Sequence, residues 1–323
     1  MLYRPIFTWI FYGHVWIALS ATCLSWLSLR LVFDNQNCVS EWPVLTFIFL
    51  ATFGVYTLHR HLSFQRAGIR PQSQRYELIA KAPKTSLWVG GLAIMLAAYI
   101  GLSFLHAIWW CLLLAVPLTV FYLTPPLPGW RRLRDLPYLK VAWVAVAWTI
   151  MTVVLPVMVI NTHASVFIIP ESENDLLGLI NLHSCIPPVM RELNFYAECL
   201  VRLLFTGAVA MLFDLRDVVL DRSQGVRTVA NERPKLHRIL VFGALALCAL
   251  IAHGHADGCI FPSNLGISQG LAYLALLPIA YLTYQKQDEN WYAVVVNGLL
   301  LVPPFAYLLL TILGGDAGAM GGL

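Results

Sequence analysis

Residues 213–228 read Phe213-Asp214-Leu215-Arg216-Asp217-Val218-Val219-Leu220-Asp221-Arg222-Ser223-Gln224-Gly225-Val226-Arg227-Thr228 and directly follow a long apolar segment. If that segment continues as a helix, Asp214, Asp217 and Asp221 stand at positions i, i+3 and i+7 and therefore share one face. Like charges this close repel, so a positive group is expected between them. Oxygen ligands suit a hard divalent ion such as Mg²⁺, usually shared with a substrate phosphate. Salt bridges with neighbouring arginines are the alternative.

The composition places this segment in a membrane protein. Of the 323 residues, 59% are hydrophobic and 12% are charged, with a mean hydropathy of +0.71. Soluble domains carry roughly a quarter charged residues. Because a spanning helix needs about 20 residues, we expect one membrane-embedded domain over residues 1–323, without a sizeable soluble domain. The net charge of +4 is too small to indicate a nucleic-acid partner.

Nine apolar segments are long enough to cross a bilayer. They cover residues 6–32, 43–62, 86–105, 107–124, 138–160, 194–213, 236–253, 267–284 and 291–313. Charged or Pro/Gly-rich breaks separate these segments, and no strand alternation or short internal repeat competes with a helical interpretation. The sequence therefore predicts an all-α integral membrane protein with nine transmembrane helices.

The 21 Lys and Arg residues are distributed unevenly over the loops. All but three lie on the same side of the predicted bundle as Arg4. This bias predicts a cytoplasmic N-terminus in a cell inner membrane, and an odd number of spans then places the C-terminus outside. Cys38, Cys185 and Cys259 fall on the outer, oxidising side. Two of these cysteines can pair there, and unpaired apolar cysteines are the alternative.

A second informative stretch connects the fourth and fifth predicted spans. It reads Phe121-Tyr122-Leu123-Thr124-Pro125-Pro126-Leu127, continues with basic residues, and ends in Leu136-Pro137-Tyr138-Leu139-Lys140. This Tyr-containing, Pro-rich and basic connection is similar to the one between helices four and five of the UbiA superfamily of intramembrane prenyltransferases. Residues 213–228 closely resemble the second aspartate-rich motif of that family, which follows the sixth of nine helices. The resemblance covers almost the whole chain.

The resemblance implies a UbiA-like bundle of nine helices around a central cavity. Family enzymes bind an isoprenyl diphosphate through magnesium held between two Asp-rich motifs, and loss of the diphosphate leaves an allylic cation that alkylates an acceptor or cyclises. Metal and cationic groups stabilise the departing diphosphate, while a dry chamber protects the cation. By resemblance, Asp214, Asp217 and Asp221 are the catalytic and magnesium-binding residues. The implied partners are an isoprenyl diphosphate or another lipid, and the membrane lipids.

The first of the two family motifs is absent from its expected place. The end of helix two carries an Asn-Asp-x-x-Asp-like run in the family, whereas this chain reads Val55-Tyr56-Thr57-Leu58-His59-Arg60-His61-Leu62-Ser63-Phe64-Gln65-Arg66. From Thr57 through Lys84 the only acidic residue is Glu77. Half of the implied magnesium cage is therefore basic, which weakens the prediction of Mg²⁺ as a cofactor.

Three interpretations of this exchange remain open. In the first, cationic side chains bind the diphosphate directly while the three aspartates hold one magnesium ion, since arginine matches phosphate well. In the second, the basic end of helix two pairs with the acidic end of helix six in a salt-bridge network without transfer chemistry. In the third, an Asp or His protonates an olefin. The candidate diphosphate ligands of the first interpretation are His59, Arg60, His61, Arg66, Tyr122, Arg131, Arg132 and Lys140.

The predicted function is therefore an atypical intramembrane prenyltransferase or isoprenoid-processing enzyme. A non-catalytic isoprenoid-binding or lipid-binding protein with the same fold is the alternative. A further pair of charges, Glu198 and Arg202, stands at i, i+4 within the sixth predicted span. Ionisable residues inside a membrane are costly and indicate function by default, but these two can neutralise each other. We expect a structural ion pair, with recognition of the acceptor as the alternative.

Overall fold

The computed structural model is a bundle of helices, eight of which are long and apolar enough to cross a membrane. The structure describes residues 7–33, 40–66, 79–166, 193–223, 225–255, 264–286 and 288–313. Within these ranges there is no β-strand. The protein is thus an all-α, multi-pass membrane protein, as its composition predicts. Cys38, Cys185 and Cys259, which the sequence places on the outer side, lie outside the described residues.

The helices run in chain order as α1 Val15–Phe33, α2 Trp42–Arg66, α3 Pro83–Leu102, α4 Leu105–Leu123, α5 Lys140–Thr149, α6 Leu155–Val166, α7 Leu193–Ser223, α8 Val229–Glu232, α9 Pro234–His255, α10 Asn264–Leu274, α11 Leu276–Thr283 and α12 Val302–Leu313. A π-helical turn, Ile150–Val154, joins α5 and α6 into one span. Another π-helical turn, Thr8–Tyr12, precedes α1. The segment before α12 consists of a π-helical turn, Trp291–Val296, and a 3₁₀ turn, Leu299–Leu301.

The eighth predicted span, residues 267–284, differs from the other eight. It is divided into α10 and α11 at Ala275, and its apolar part, Gln269–Thr283, is shorter than a spanning helix. Pro278 explains the division, because proline has no N–H to donate to the carbonyl of Leu274 and its ring crowds that carbonyl. The other eight predicted segments each correspond to a long apolar helix. The count of nine full spans is therefore not confirmed within the described residues.

Two apolar clusters hold the bundle together. One cluster contains buried side chains of helices α1, α2, α3, α4 and α6, among them Ile48, Ile108 and Val157. The other joins α7, α9, α10 and α11 to the segment before α12, around Phe205 and Tyr273. The outer faces of the helices remain apolar as well, as expected where a helix that is hydrophobic all round contacts lipid.

The ion pair within α7 links three parts of the bundle. Arg202 donates from Nη2 to Glu198 Oε1 at 2.5 Å and to Ser28 Oγ of α1 at 2.9 Å. It also donates from Nη1 to Thr152 Oγ1, in the turn between α5 and α6, at 3.1 Å. Both charged side chains are almost completely buried. Since each charge is paired and hydrogen-bonded, the arrangement supports a structural role for the pair.

Candidate functional site

Three aspartates of α7 surround a single lysine. The helix continues through Ser223, so Asp214, Asp217 and Asp221 share one face, as their spacing predicts. Lys140, the first residue of α5, places Nζ 2.9 Å from Asp214 Oδ1, 2.9 Å from Asp221 Oδ2 and 3.8 Å from Asp217 Oδ2. The exposed fractions of the side chains range from 0% for Asp221 to 15% for Asp217. We call these four residues the aspartate–lysine cluster.

Asp217 has a second cationic partner on its own helix. Arg216 donates from Nε to Asp217 Oδ1 at 2.9 Å and from Nη2 to Asp217 Oδ2 at 3.3 Å, which is a bidentate arrangement. The guanidinium carbon lies 5.1 Å from the centre of the Phe213 ring. Among the described side chains, two cations thus contact the three carboxylates. Asp221 Oδ1 is buried and has no hydrogen-bond partner.

The chain reverses direction directly after α7 because of Gly225, whose φ of +68° lies in the left-handed region that suits glycine. The N–H groups of Gly225 and its successor donate to Arg222 O at 3.1 Å and Asp221 O at 2.8 Å, the two hydrogen bonds of a Schellman motif. Thr228 then begins α8 with a capping box, in which its side chain and that of Asn231 each accept the other's backbone N–H. These local preferences explain the Gly-x-x-Thr spacing after the aspartates.

The two motifs singled out in the sequence contact each other. Tyr138 donates its backbone N–H to Arg227 O at 3.0 Å, and Arg227 Nη2 donates to Tyr138 Oη at 3.0 Å. Glu232 accepts from Arg227 Nε at 2.5 Å and also from the Tyr138 hydroxyl. The hydrogen bonds from Arg227 and Tyr138 lower the pKa of Glu232. This contact fixes the α4–α5 connection to the α7–α8 connection and so brings Lys140 to the aspartates.

The basic end of α2 approaches the same region through Tyr122. The ring of His59 makes an edge-to-face contact with the ring of Tyr122 in α4, with 6.4 Å between their centres. Tyr122 is in turn close enough to Lys140 and Asp214 to interact with them electrostatically. The structure thus gathers His59, Tyr122, Lys140 and the aspartates from helices α2, α4, α5 and α7.

His61, Arg131 and Arg132 are further predicted diphosphate ligands whose side chains are described. His61 is buried, with Nε2 2.9 Å from the side-chain nitrogen of Gln65. Arg132 donates to Asp135 within the α4–α5 connection at 2.6 and 3.0 Å. Arg131 is exposed, and the side chain of Arg66 lies outside the described part of the structure. Among the described side chains, no hydrogen bond or ion pair joins His61, Arg131 or Arg132 to Asp214 or Asp221.

His14, just before α1, is a notable residue of this region that the sequence did not indicate. Its φ is +69°, its side chain is 7% exposed, and Nδ1 lies 3.3 Å from Thr57 Oγ1 of α2. His14 lines a cavity of about 30 Å³ between α2, α3 and the turn before α1. A separate open apolar groove of about 390 Å³ lies between α1 and α12.

The aspartate–lysine cluster does not fit a magnesium ion. Mg²⁺ requires oxygen ligands at about 2.0–2.1 Å in near-octahedral geometry. Here the ammonium group of Lys140 lies 2.9 Å from two of the three carboxylates, where a shared metal would be held. In the described part of the chain, no three His, Cys, Asp or Glu side chains are arranged to hold a metal ion. The arrangement therefore favours lysine over a metal as the counter-ion.

Lys140 is a predicted ligand of the diphosphate, and its contact with the aspartates is not predictable from the motifs. A usable signal was present, because Lys140 lies at the start of an apolar span and a buried cation needs an anionic partner. The aspartates needed a cation for the same reason. The hydrogen bond from Lys140 to Asp221 joins residues 81 positions apart, so no local spacing reveals it.

The fold is similar to that of a solved protein described as the apo structure of a UbiA homolog from Aeropyrum pernix K1. The TM-score is 0.60, the identity is 11%, and the similarity covers 92% of this chain and 97% of that chain. No protein-family model matches the sequence. No curated protein matches it either. Similarity at this level of identity shows the fold, and the UbiA-like fold that the motifs indicate is thereby confirmed.

Proposed function

We propose that this protein is an intramembrane isoprenoid-processing enzyme that acts on an isoprenyl diphosphate, as an atypical prenyltransferase. The observation that supports the proposal is the convergence of His59, Tyr122, Lys140 and the aspartate face of α7 at one end of a UbiA-like bundle. Cationic and hydroxyl groups are the side chains that recognise a diphosphate. Apolar helices surround them, as an isoprenoid chain requires.

Lys140 has donor capacity for a phosphate oxygen. An ammonium group carries three N–H donors. Two of them serve Asp214 and Asp221 at 2.9 Å, and the distance to Asp217, 3.8 Å, is too long for a hydrogen bond. We assign the third donor to the diphosphate, together with His59, Arg60 and the Tyr122 hydroxyl. Donors placed in this way stabilise the negative charge that develops as the allylic C–O bond breaks and its electron pair leaves with the diphosphate.

The cation left on the isoprenoid chain reacts with an acceptor, which forms the new bond to carbon and then loses a proton. Exclusion of water by the apolar helices keeps the cation from being hydrolysed first. The bias of Lys and Arg among the loops supports a position of the site on the cytoplasmic side of the inner membrane, with the C-terminus outside.

A non-catalytic isoprenoid-binding or lipid-binding protein is the second candidate. One observation favours it: Lys140 and Arg216 already neutralise much of the negative charge of the aspartates without any ligand. Such a network is stable on its own and needs no reaction to explain it.

Turnover separates the two candidates. Purified protein in lipid nanodiscs is incubated with geranylgeranyl diphosphate and a panel of acceptors, and released diphosphate is measured. We expect release by the wild type and its loss in Lys140→Met, which removes the donor assigned to the departing diphosphate. Lys235→Met, at an exposed lysine near the start of α9, is the matched control and should keep full activity. Saturable binding without release for every chain length and acceptor would favour the binding protein.

A further inference from the structure

The aspartate face of α7 carries a charge that has to be neutralised within the protein. Asp221 has no exposed surface, and Asp214 is 5% exposed. A buried carboxylate is stable only with a partner charge and hydrogen bonds. The ammonium group of Lys140 supplies both, at 2.9 Å from each of these carboxylates.

Lys140 is also held in this place by the backbone around it. It begins α5, two residues after Tyr138, whose N–H donates to Arg227 O at 3.0 Å. The contact between Tyr138, Arg227 and Glu232 ties that connection to the chain that follows the aspartates. Lysine and aspartates therefore belong to one assembled unit, in which these contacts hold the backbone of Lys140 beside α7.

A divalent ion among the same carboxylates would repel the ammonium group. Both would compete for the same oxygens, because two of the three aspartates already accept from Lys140. The opposite side of the implied cage offers no carboxylate: residues 57–66 of α2 contain none, and they contain His59, Arg60, His61 and Arg66 instead. Two observations therefore indicate a site without a divalent ion. Basic residues stand in α2 where the family has acids, and a lysine lies among the aspartates of α7.

We infer that Lys140 takes the place of the divalent cation at this site, so that the protein binds its ligand without a metal ion. The diphosphate then contacts the protein's own cations directly. The consequence for ligand binding rests on the proposed function, whereas the position of Lys140 is tested without any substrate.

Binding of Mn²⁺, followed by electron paramagnetic resonance, tests the inference on the purified protein in nanodiscs. The wild type should leave millimolar Mn²⁺ in its free form. Lys140→Met, which keeps the apolar stem and removes the charge, should bind one Mn²⁺ at least tenfold more tightly than the wild type. It should also gain thermal stability with Mg²⁺, because an ion that binds only the native state raises its stability. Lys235→Met, an exposed lysine at the start of α9, should behave like the wild type.

Saturable binding of Mn²⁺ to the wild type would overturn the inference, as would a Lys140→Met variant that folds but gains no metal binding. If Lys140→Met does not fold, the wild-type measurement still decides, and Lys140→Arg should remain insensitive to metal. The turnover assay in EDTA keeps the two proposals apart. If diphosphate release requires Mg²⁺, the metal-free site is contradicted and the enzyme function is supported. If the protein neither releases diphosphate nor binds Mn²⁺, only the enzyme function is contradicted.

Discussion

Asp221 is the most deeply buried of the three aspartates. It has no exposed surface, one of its oxygens accepts from Lys140 at 2.9 Å, and the other has no hydrogen-bond partner. Its charge therefore depends on one ammonium group. Removal of one partner of a buried ion pair leaves an uncompensated charge, whereas removal of both partners is often neutral. Asp221 and Lys140 should thus be energetically dependent on each other.

A double-mutant cycle tests this dependence. We expect Lys140→Met to lower the free energy of unfolding by about 3–5 kcal/mol, the usual cost of breaking a buried pair. Asp221→Asn should cost less, since Lys140 keeps Asp214 as a partner at 2.9 Å. The double variant should lose less free energy of unfolding than the sum of the losses in the two single variants. Denaturation in mixed micelles, at fixed detergent concentration and without added metal, gives the three values; simple additivity would contradict the pairing.

The face that the aspartates share was predictable from their spacing, because helical periodicity is a local property. The partner of that face was not, because Lys140 reaches it from another helix. The position of His14 was also not predictable from the sequence. Its burial and its contact with Thr57 at 3.3 Å depend on how the turn before α1 packs onto α2, and no pattern in residues 1–15 indicates this.

At the scale of the elements, prolines account for three irregular parts of the spans. The π-helical turn Ile150–Val154 lies just before Pro156, and the division between α10 and α11 lies just before Pro278. The 3₁₀ turn Leu299–Leu301 precedes the adjacent prolines Pro303 and Pro304. Each proline removes a donor to the preceding turn and crowds its carbonyl, so the local helix changes its hydrogen bonding. Hydropathy predicts the spans, but it contains no information on how such a turn rearranges.

The contact between the two connections is a second element-scale feature, and it predicts a pH dependence. The pKa of Glu232 in the folded protein lies below its ordinary value of 4.5, mainly because of the hydrogen bond from Arg227. The contribution of Glu232 to stability is therefore present above pH 4.5 and is lost as the pH falls through the lowered pKa.

Thermal unfolding of the wild type and of Glu232→Gln checks this expectation. Above about pH 5 the wild type should have the higher unfolding temperature, and the difference should shrink as Glu232 becomes protonated at lower pH. Asp288→Asn, which has no part in this contact, should show no such convergence. A difference that stays constant down to pH 3 would mean that the charge of Glu232 does not contribute.

At the scale of the whole molecule, the fold is similar to that of the solved UbiA homolog while the sequence differs widely. A TM-score of 0.60 over 92% of the chain accompanies an identity of only 11%. Many apolar residues fill a helix face equally well, so the fold is predictable from hydropathy and two motifs. The proposed ligand chemistry depends on a few polar residues, and the exchange at α2 and the lysine of α5 are the reason that we propose a site without a metal ion.

The topology of the molecule gives a prediction of its own. Counting of basic residues predicts that residue 225, after α7, is cytoplasmic and that the C-terminus is outside. Alkaline phosphatase fused after residue 323 should be active, and a fluorescent protein at the same position should be dark in a bacterial host. Fusions after residue 225 should give the reverse pattern. The same result at both positions would contradict the predicted orientation.

The most direct test of the account is the thermal shift caused by geranylgeranyl diphosphate in the presence of EDTA. The wild type should be stabilised saturably, geranylgeraniol without the diphosphate should have little effect, and Lys140→Met should lose most of the shift. This result would show that a diphosphate binds at the aspartate–lysine cluster without a metal. No shift in the wild type with or without Mg²⁺ would contradict the proposed ligand, and a shift that requires Mg²⁺ would contradict the role of Lys140.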